Sequence, residues 1–166
     1  MMGAGKSTVG RLLARRLKRA FYDSDEEIER RCGVRIPVIF DIEGEAGFRA
    51  RETQVLAELC ALDGVVLATG GGAVLAEANR RRLAARGTVV YLHARPASLW
   101  QRVRQDRNRP LLAAPQPQKV LEELYALRDP LYREVADVVL DTGRQSAQAL
   151  AKDLLARLER LCRLSA

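Results

Sequence analysis

The chain has 166 residues, 48% of them apolar, and a formal net charge of +7. No apolar run approaches the roughly 18–20 residues of a membrane-spanning helix, and the apolar content is too high for a disordered chain, so one globular domain is expected. The charge is mostly arginine and favours anionic partners, but with aromatic residues at only 5% the chain has little with which to stack bases.

Val9, Leu12, Leu13 and Leu17 recur at helical spacing, which predicts a helix from Lys6 to about Arg19 behind a glycine-rich turn. Ala20-Phe21-Tyr22 reads as a short strand ending at Asp23-Ser24-Asp25, with Asp25 as cap of a helix from Glu26 to Arg31 that stops at Gly33. Pro37, Gly44 and Gly47 predict an irregular section before a helix from about Phe48 to Leu62. Val65 to Ala68 and Val89 to Leu92 are continuous apolar runs, as expected of strands buried on both faces of a parallel sheet. Between them a helix is expected from about Glu77 to Arg86. Helix is predicted again from Ala97 to Asp106, a proline-rich loop from Arg107 to Pro117, and helix near Gln118 to Arg128. A last strand at Val138-Val139-Leu140 and an amphipathic helix from Ser146 to Arg163 complete the chain. Strands alternating with helices at these lengths indicate an α/β fold with a parallel sheet.

Gly3-Ala4-Gly5-Lys6-Ser7-Thr8 is most of a Walker A loop. Glycines let backbone N–H groups curl around phosphate oxygens, the following helix adds the positive end of its dipole, Lys6 reaches the outer phosphates and Ser7 offers a hydroxyl to Mg²⁺. The first glycine of the pattern, and the strand that feeds such a loop, would fall before Met1, so a short apolar strand ending in Gly is expected upstream. Met1 to Lys6 has no apolar core of a signal peptide, and Cys32, Cys60 and Cys162 have no paired spacing. Free thiols and a cytoplasmic location are therefore the expectation.

Five further segments stand in order behind that loop: Asp23-Ser24-Asp25; Phe40 through Phe48-Arg49 to Glu52; Gly70-Gly71-Gly72; Arg107-Asn108-Arg109-Pro110-Leu111-Leu112; and Arg128-Asp129-Pro130-Leu131-Tyr132. Together with the loop they resemble shikimate kinase, from the first residue to about Gln145. The resemblance implies a P-loop NTPase three-layer sandwich, with a parallel sheet between helices, in a single domain over residues 1–166. A substrate-binding section would span 28–56 and a lid 107–117. It implies phosphoryl transfer from ATP to shikimate, giving shikimate 3-phosphate on the route to chorismate and aromatic amino acids, with one Mg²⁺ in the site.

By the same resemblance Asp23 reaches the metal through water, and Asp25 contacts the hydroxyl that is phosphorylated. Arg49 and Arg128 would clamp the substrate carboxylate, a task that suits a planar guanidinium. Gly70, Gly71 and Gly72 would bring backbone to the same substrate at the carboxyl end of a strand. Arg109 resembles a lid arginine that closes over the transferring phosphoryl group, while Arg102 and Gln145 fall at adenine-side positions. Read without the resemblance, Asp23 and Asp25 could serve only as helix caps, and any arginine in so basic a chain could be a solvated charge. His93 and Trp100 read as structural.

The expected partners are ATP and a small molecule, without nucleic acid or membrane, for a monomer. A sugar-acid kinase of the same fold would lack the two carboxylate-binding arginines in these contexts. A non-catalytic interaction module would bind nucleotide poorly, and a charge-driven nucleic-acid binder would show steep salt dependence.

Overall fold

The computed structural model describes residues 1–105, 110–143 and 145–164, with 162–164 by backbone alone. In chain order the described elements are α1 (Lys6–Leu17), β1 (Ala20–Asp23), α2 (Ser24–Cys32), α3 (Ile36–Leu59), β2 (Val65–Ala68), α4 (Glu77–Arg86), β3 (Val90–His93), α5 (Pro96–Val103), α6 (Pro117–Val135), β4 (Val138–Asp141) and α7 (Ala147–Leu164). Short 3₁₀ turns lie at Ala73–Leu75 and Pro110–Leu112. None of these helices is long and apolar enough to cross a membrane.

The described strands pair in parallel, β1 with β2 and β3 with β4. Asp23 stands opposite Ala68 and His93 opposite Asp141, so the functional segments leave from the carboxyl ends of the strands. Helices cover both faces. Leu67 of β2 packs on the cluster of Ile28, Ile39, Phe48, Val55 and Leu59 from α2 and α3, whereas Val66 beside it packs on the larger cluster built by α1, α5, α6 and α7. Adjacent strand residues face opposite ways, so β2 separates the two clusters. Met1 and Met2 are buried in the larger one.

The structure moves several predicted boundaries, each for a local reason. Helix α2 starts at Ser24, because Asp23 has extended dihedrals and its carboxylate accepts the Asp25 N–H at 3.0 Å. Asp23 is therefore the cap, and Asp25 lies in the first turn. The section expected to be irregular is helical from Ile36, with Pro37 in the first turn, where its missing N–H has no cost. Only Gly44 interrupts α3, at φ 67° and ψ −177°, a conformation that glycine tolerates best. Helix α6 runs on through Pro130 to Val135, past the expected end at Arg128. Helix α5 stops at Val103 instead of Asp106, and β3 is shifted one residue forward of Val89–Leu92.

Candidate active site

The phosphate loop is shaped for an anion. Gly5, at φ 88°, turns the chain into α1, whose first turn has neither a side-chain cap nor an acidic residue to compete for its N–H groups. Ala4 is buried beneath the loop and Thr8 is exposed on it. Lys6 Nζ donates to the Met1 carbonyl at 2.9 Å, which lays its side chain back along the loop. Ser7 Oγ donates to Asp23 Oδ2 at 2.5 Å, bringing two hard oxygen donors together beside it.

Asp25 sits at the other side of that pair. Burial raises its pKa to about 6, with Lys6 pulling the other way and Asp23 and Glu52 adding to the rise. Among the described residues its Oδ1 has no hydrogen-bond partner, and neither has Oε1 of Glu52, which is 1% exposed. Both oxygens converge on Gly70. A Cβ on that residue would stand 2.6 Å from Asp25 Oδ1 and would also overlap Glu52 Oε1. Gly70 is held in this place by its own N–H, which donates at 2.9 Å to the Oγ of the fully buried Ser24.

Two arginines face the same turn. Arg49 Nη1 donates to Glu52 Oε2 at 2.7 Å and its Nη2 to Glu45 Oε1 at 2.9 Å, and the guanidinium occupies the space that a Gly72 Cβ would take. Arg128 is 1% exposed, its Nε has no partner among the described residues, and burial lowers its pKa. Its Nη1 stands 3.7 Å from where a Gly71 Cβ would lie. Asp25, Phe48, Arg49, Gly70, Gly71, Gly72 and Arg128 line one cleft with Glu52, Pro110 and Leu111. Two cations, one with no carboxylate partner among the described residues, beside a carboxyl oxygen likewise unpartnered there, fit a small hydroxylated acid.

Arg102 lies on the phosphate-loop side. Its Nη1 donates to Gly3 O at 3.3 Å and Thr142 Oγ1 at 3.1 Å, and its Nη2 to Gly143 O at 2.9 Å, so it ties the loop to the end of β4. Gln145 is exposed just beyond. Arg109 lies outside the described residues, as do Arg107 and Asn108. His93 bridges Asp141 Oδ2 at 3.2 Å and Tyr125 Oη at 2.9 Å, Trp100 packs on the larger core, and Cys32 and Cys60 are free thiols.

Two contributors escaped the sequence reading. Ser24 was only the middle of a motif, and Tyr132, whose hydroxyl donates to Gly71 O, only its last letter. A better signal stood at Glu52, a carboxylate at helical spacing with Phe48, Val55, Leu56 and Leu59, all buried.

The shikimate kinase family model matches residues 2–159. A shikimate kinase of Pseudomonas aeruginosa (strain LESB58) is 58% identical over 160 residues, covering 96% of this chain and 93% of its own. That of Cupriavidus pinatubonensis is 60% identical over 159 residues, covering 96% and 83%. Among solved structures, shikimate kinase from Acinetobacter baumannii in complex with shikimate aligns with a TM-score of 0.94 at 51% identity, covering 96% of this chain and 89% of that one. Shikimate kinase from Aquifex aeolicus aligns with a TM-score of 0.83 at 37% identity, covering 96% and 92%.

Proposed function

The chain belongs to the shikimate kinase family, an ATP-dependent phosphotransferase family on the P-loop α/β fold, and we propose that it phosphorylates shikimate through the residues gathered around Gly70–Gly72. The observation that carries this assignment is the convergence of Arg49, Arg128 and Asp25 on one glycine turn, next to a phosphate loop.

In this reading the shikimate carboxylate lies between Arg49 and Arg128, and its 3-hydroxyl faces Asp25. The triphosphate of ATP follows the backbone of Gly3, Ala4, Gly5, Lys6, Ser7 and Thr8, with Lys6 on the outer phosphates. Arg102 and Gln145 take the adenine side, and Arg109, outside the described residues, would neutralise charge on the transferring phosphoryl group. The hydroxyl oxygen attacks the γ-phosphorus in line, the bond to the β,γ-bridging oxygen breaks, ADP leaves, and the hydroxyl proton passes to the Asp25 carboxylate. A group pushed to about 6 is ionised at neutral pH and basic enough to take a proton as the P–O bond forms. Most of the rate gain comes from alignment and from charge placed around the phosphoryl group.

Mg²⁺ fits the residues present. Ser7 Oγ and Asp23 Oδ2 already meet in a hydrogen bond, and Mg²⁺ needs only one or two such protein oxygens beside phosphate and water. Ser7 and Asp23 would hold it, Asp23 through a water, and the ion would neutralise charge between the β- and γ-phosphates. The substrate-binding section is 28–56 of a single domain over 1–166, and the enzyme acts as a cytoplasmic monomer.

A coupled ADP-release assay with shikimate, quinate, gluconate and nucleoside monophosphates tests the proposal. Turnover with shikimate well above the others is expected. Preference for gluconate or a nucleotide would overturn it.

A further inference from the structure

His93 and Asp141 stand in register at the carboxyl ends of β3 and β4, and their side chains meet there. The His93 side chain is 14% exposed. Its Nδ1 lies 3.2 Å from Asp141 Oδ2 and its Nε2 2.9 Å from Tyr125 Oη. A carboxylate only accepts, so Nδ1 carries a proton, and in the neutral ring Nε2 accepts from the Tyr125 hydroxyl.

The other oxygen of Asp141 serves the turn that follows β4. Oδ1 accepts the Gly143 N–H at 2.9 Å, which holds this carboxyl below the usual carboxylate range, with His93 and Arg95 pulling the same way. Thr142, 1% exposed, donates its N–H to His93 O at 2.7 Å. The turn so fixed offers Thr142 Oγ1 and Gly143 O to the Arg102 guanidinium, which also reaches Gly3 O in the phosphate loop. A continuous polar path thus runs from His93 to that loop.

Imidazole is the side chain whose charge changes between about pH 5 and 8, and Asp141 stays ionised across that range. Among the described residues, the other titratable groups around the ring are Tyr91 from β3 and Tyr125 and Asp129 from α6. Burial pushes both phenols up, so they stay neutral, and Asp129 is already paired with Arg133. Asp141 is therefore the partner that gains when the ring takes up a proton.

We propose that His93 is a positioning residue for the nucleotide: through Asp141 it steadies the Thr142–Gly143 turn that holds Arg102, and a proton on its ring tightens ATP binding. This rests on the reading that puts Arg102 on the nucleotide side.

The chain has one histidine, so its imidazole signal in an NMR titration of protein without added histidines is unambiguous. If the proton favours ATP, then ATP favours the proton to the same degree. For a partly exposed pair the expected effect on ATP affinity is about two- to fivefold. Saturating ATP should therefore raise the His93 titration midpoint by about 0.3–0.7 pH units. Asp141→Asn keeps the shape, removes the charge and should abolish that rise. A midpoint unmoved by ATP in the unsubstituted protein overturns the inference. So does a rise that persists in Asp141→Asn, which would reflect only the field of the triphosphate.

His93→Asn puts a neutral amide where Nδ1 stood. By calorimetry it should bind ATP about two- to fivefold more weakly than the unsubstituted protein at about pH 5.5, and within about twofold at about pH 8, with shikimate affinity unchanged. The two proteins are compared at each pH, because Asp25 also titrates in this range. Equal losses for both ligands, or the same loss at both pH values, would make His93 merely structural and overturn the inference. Unchanged ATP affinity in Arg102→Ala would remove the premise and the inference together, whereas a loss there with an unmoved His93 midpoint overturns the inference alone.

Discussion

Glu52, enclosed on α3, receives Arg49 Nη1 at 2.7 Å from the preceding turn, and its other oxygen rests against Gly70. One carboxylate thus holds a substrate-facing arginine and fills the floor beneath the glycine turn. Breaking a buried ion pair costs about 3–5 kcal/mol, and Arg49 retains Glu45, so Glu52→Ala should lose about 3 kcal/mol. At this chain length that lowers the melting temperature by roughly 6–12 °C. Thermal unfolding checks it, and a shift below 1 °C would show the pair to be dispensable.

Arg128→Ala should weaken shikimate binding by about 2–5 kcal/mol, the cost of truncating one partner of a buried charge contact. ATP affinity should barely change, because Arg128 lines the cleft with Asp25 and Arg49, where the proposal puts the carboxylate substrate. Calorimetric titration with each ligand separates the two. Equal losses would defeat the carboxylate assignment.

Asp25 makes stability and activity run in opposite directions with pH. An unfolded aspartate titrates near 3.9, so the folded chain, with this pKa raised to about 6, holds the proton more tightly. The stability from this group is complete below about pH 4 and is lost as pH rises through about 6. The kinase needs the carboxylate, so kcat/KM should fall with an acid limb near pH 6. Asp25→Asn should abolish that limb, lower kcat at least about 100-fold, and raise the melting temperature at neutral pH. An unchanged kcat would remove Asp25 from the chemistry.

Arg109→Ala should cut kcat by about 10²–10³-fold, with a much smaller effect on the KM for shikimate, if the residue stabilises charge on the transferring phosphoryl group. Steady-state kinetics decide the matter. A loss below about threefold returns Arg109 to the solvated surface.

Local signals carried most of the framework. Val65–Ala68 and Glu77–Arg86 fell where the apolar run and the helical period put them, because both depend on neighbours along the chain. The section around Ile36 misled because Pro37 and Gly44 look like breakers, while burial of Ile39 and Phe48 outweighs them. Asp25 has the chemistry of a cap, but Asp23, two residues earlier, has the same chemistry with extended dihedrals and takes that place. The polar frame of the glycine turn stayed hidden for a deeper reason. Ser24 and Tyr132 come from α2 and α6, and no spacing rule links them.

The three glycines of the turn look equivalent when written out, but they are under unequal constraint. At Gly70 and Gly72 an added methyl would overlap Glu52, Asp25 or the Arg49 guanidinium, whereas at Gly71 the nearest atom is 3.5 Å away and the backbone is not left-handed. In a saturation library over residues 69–73 selected for growth, codons at 70 and 72 should collapse to glycine, while alanine persists at 71. Genetic drift through this turn is thus confined to its central position, whose carbonyl and amide survive the change.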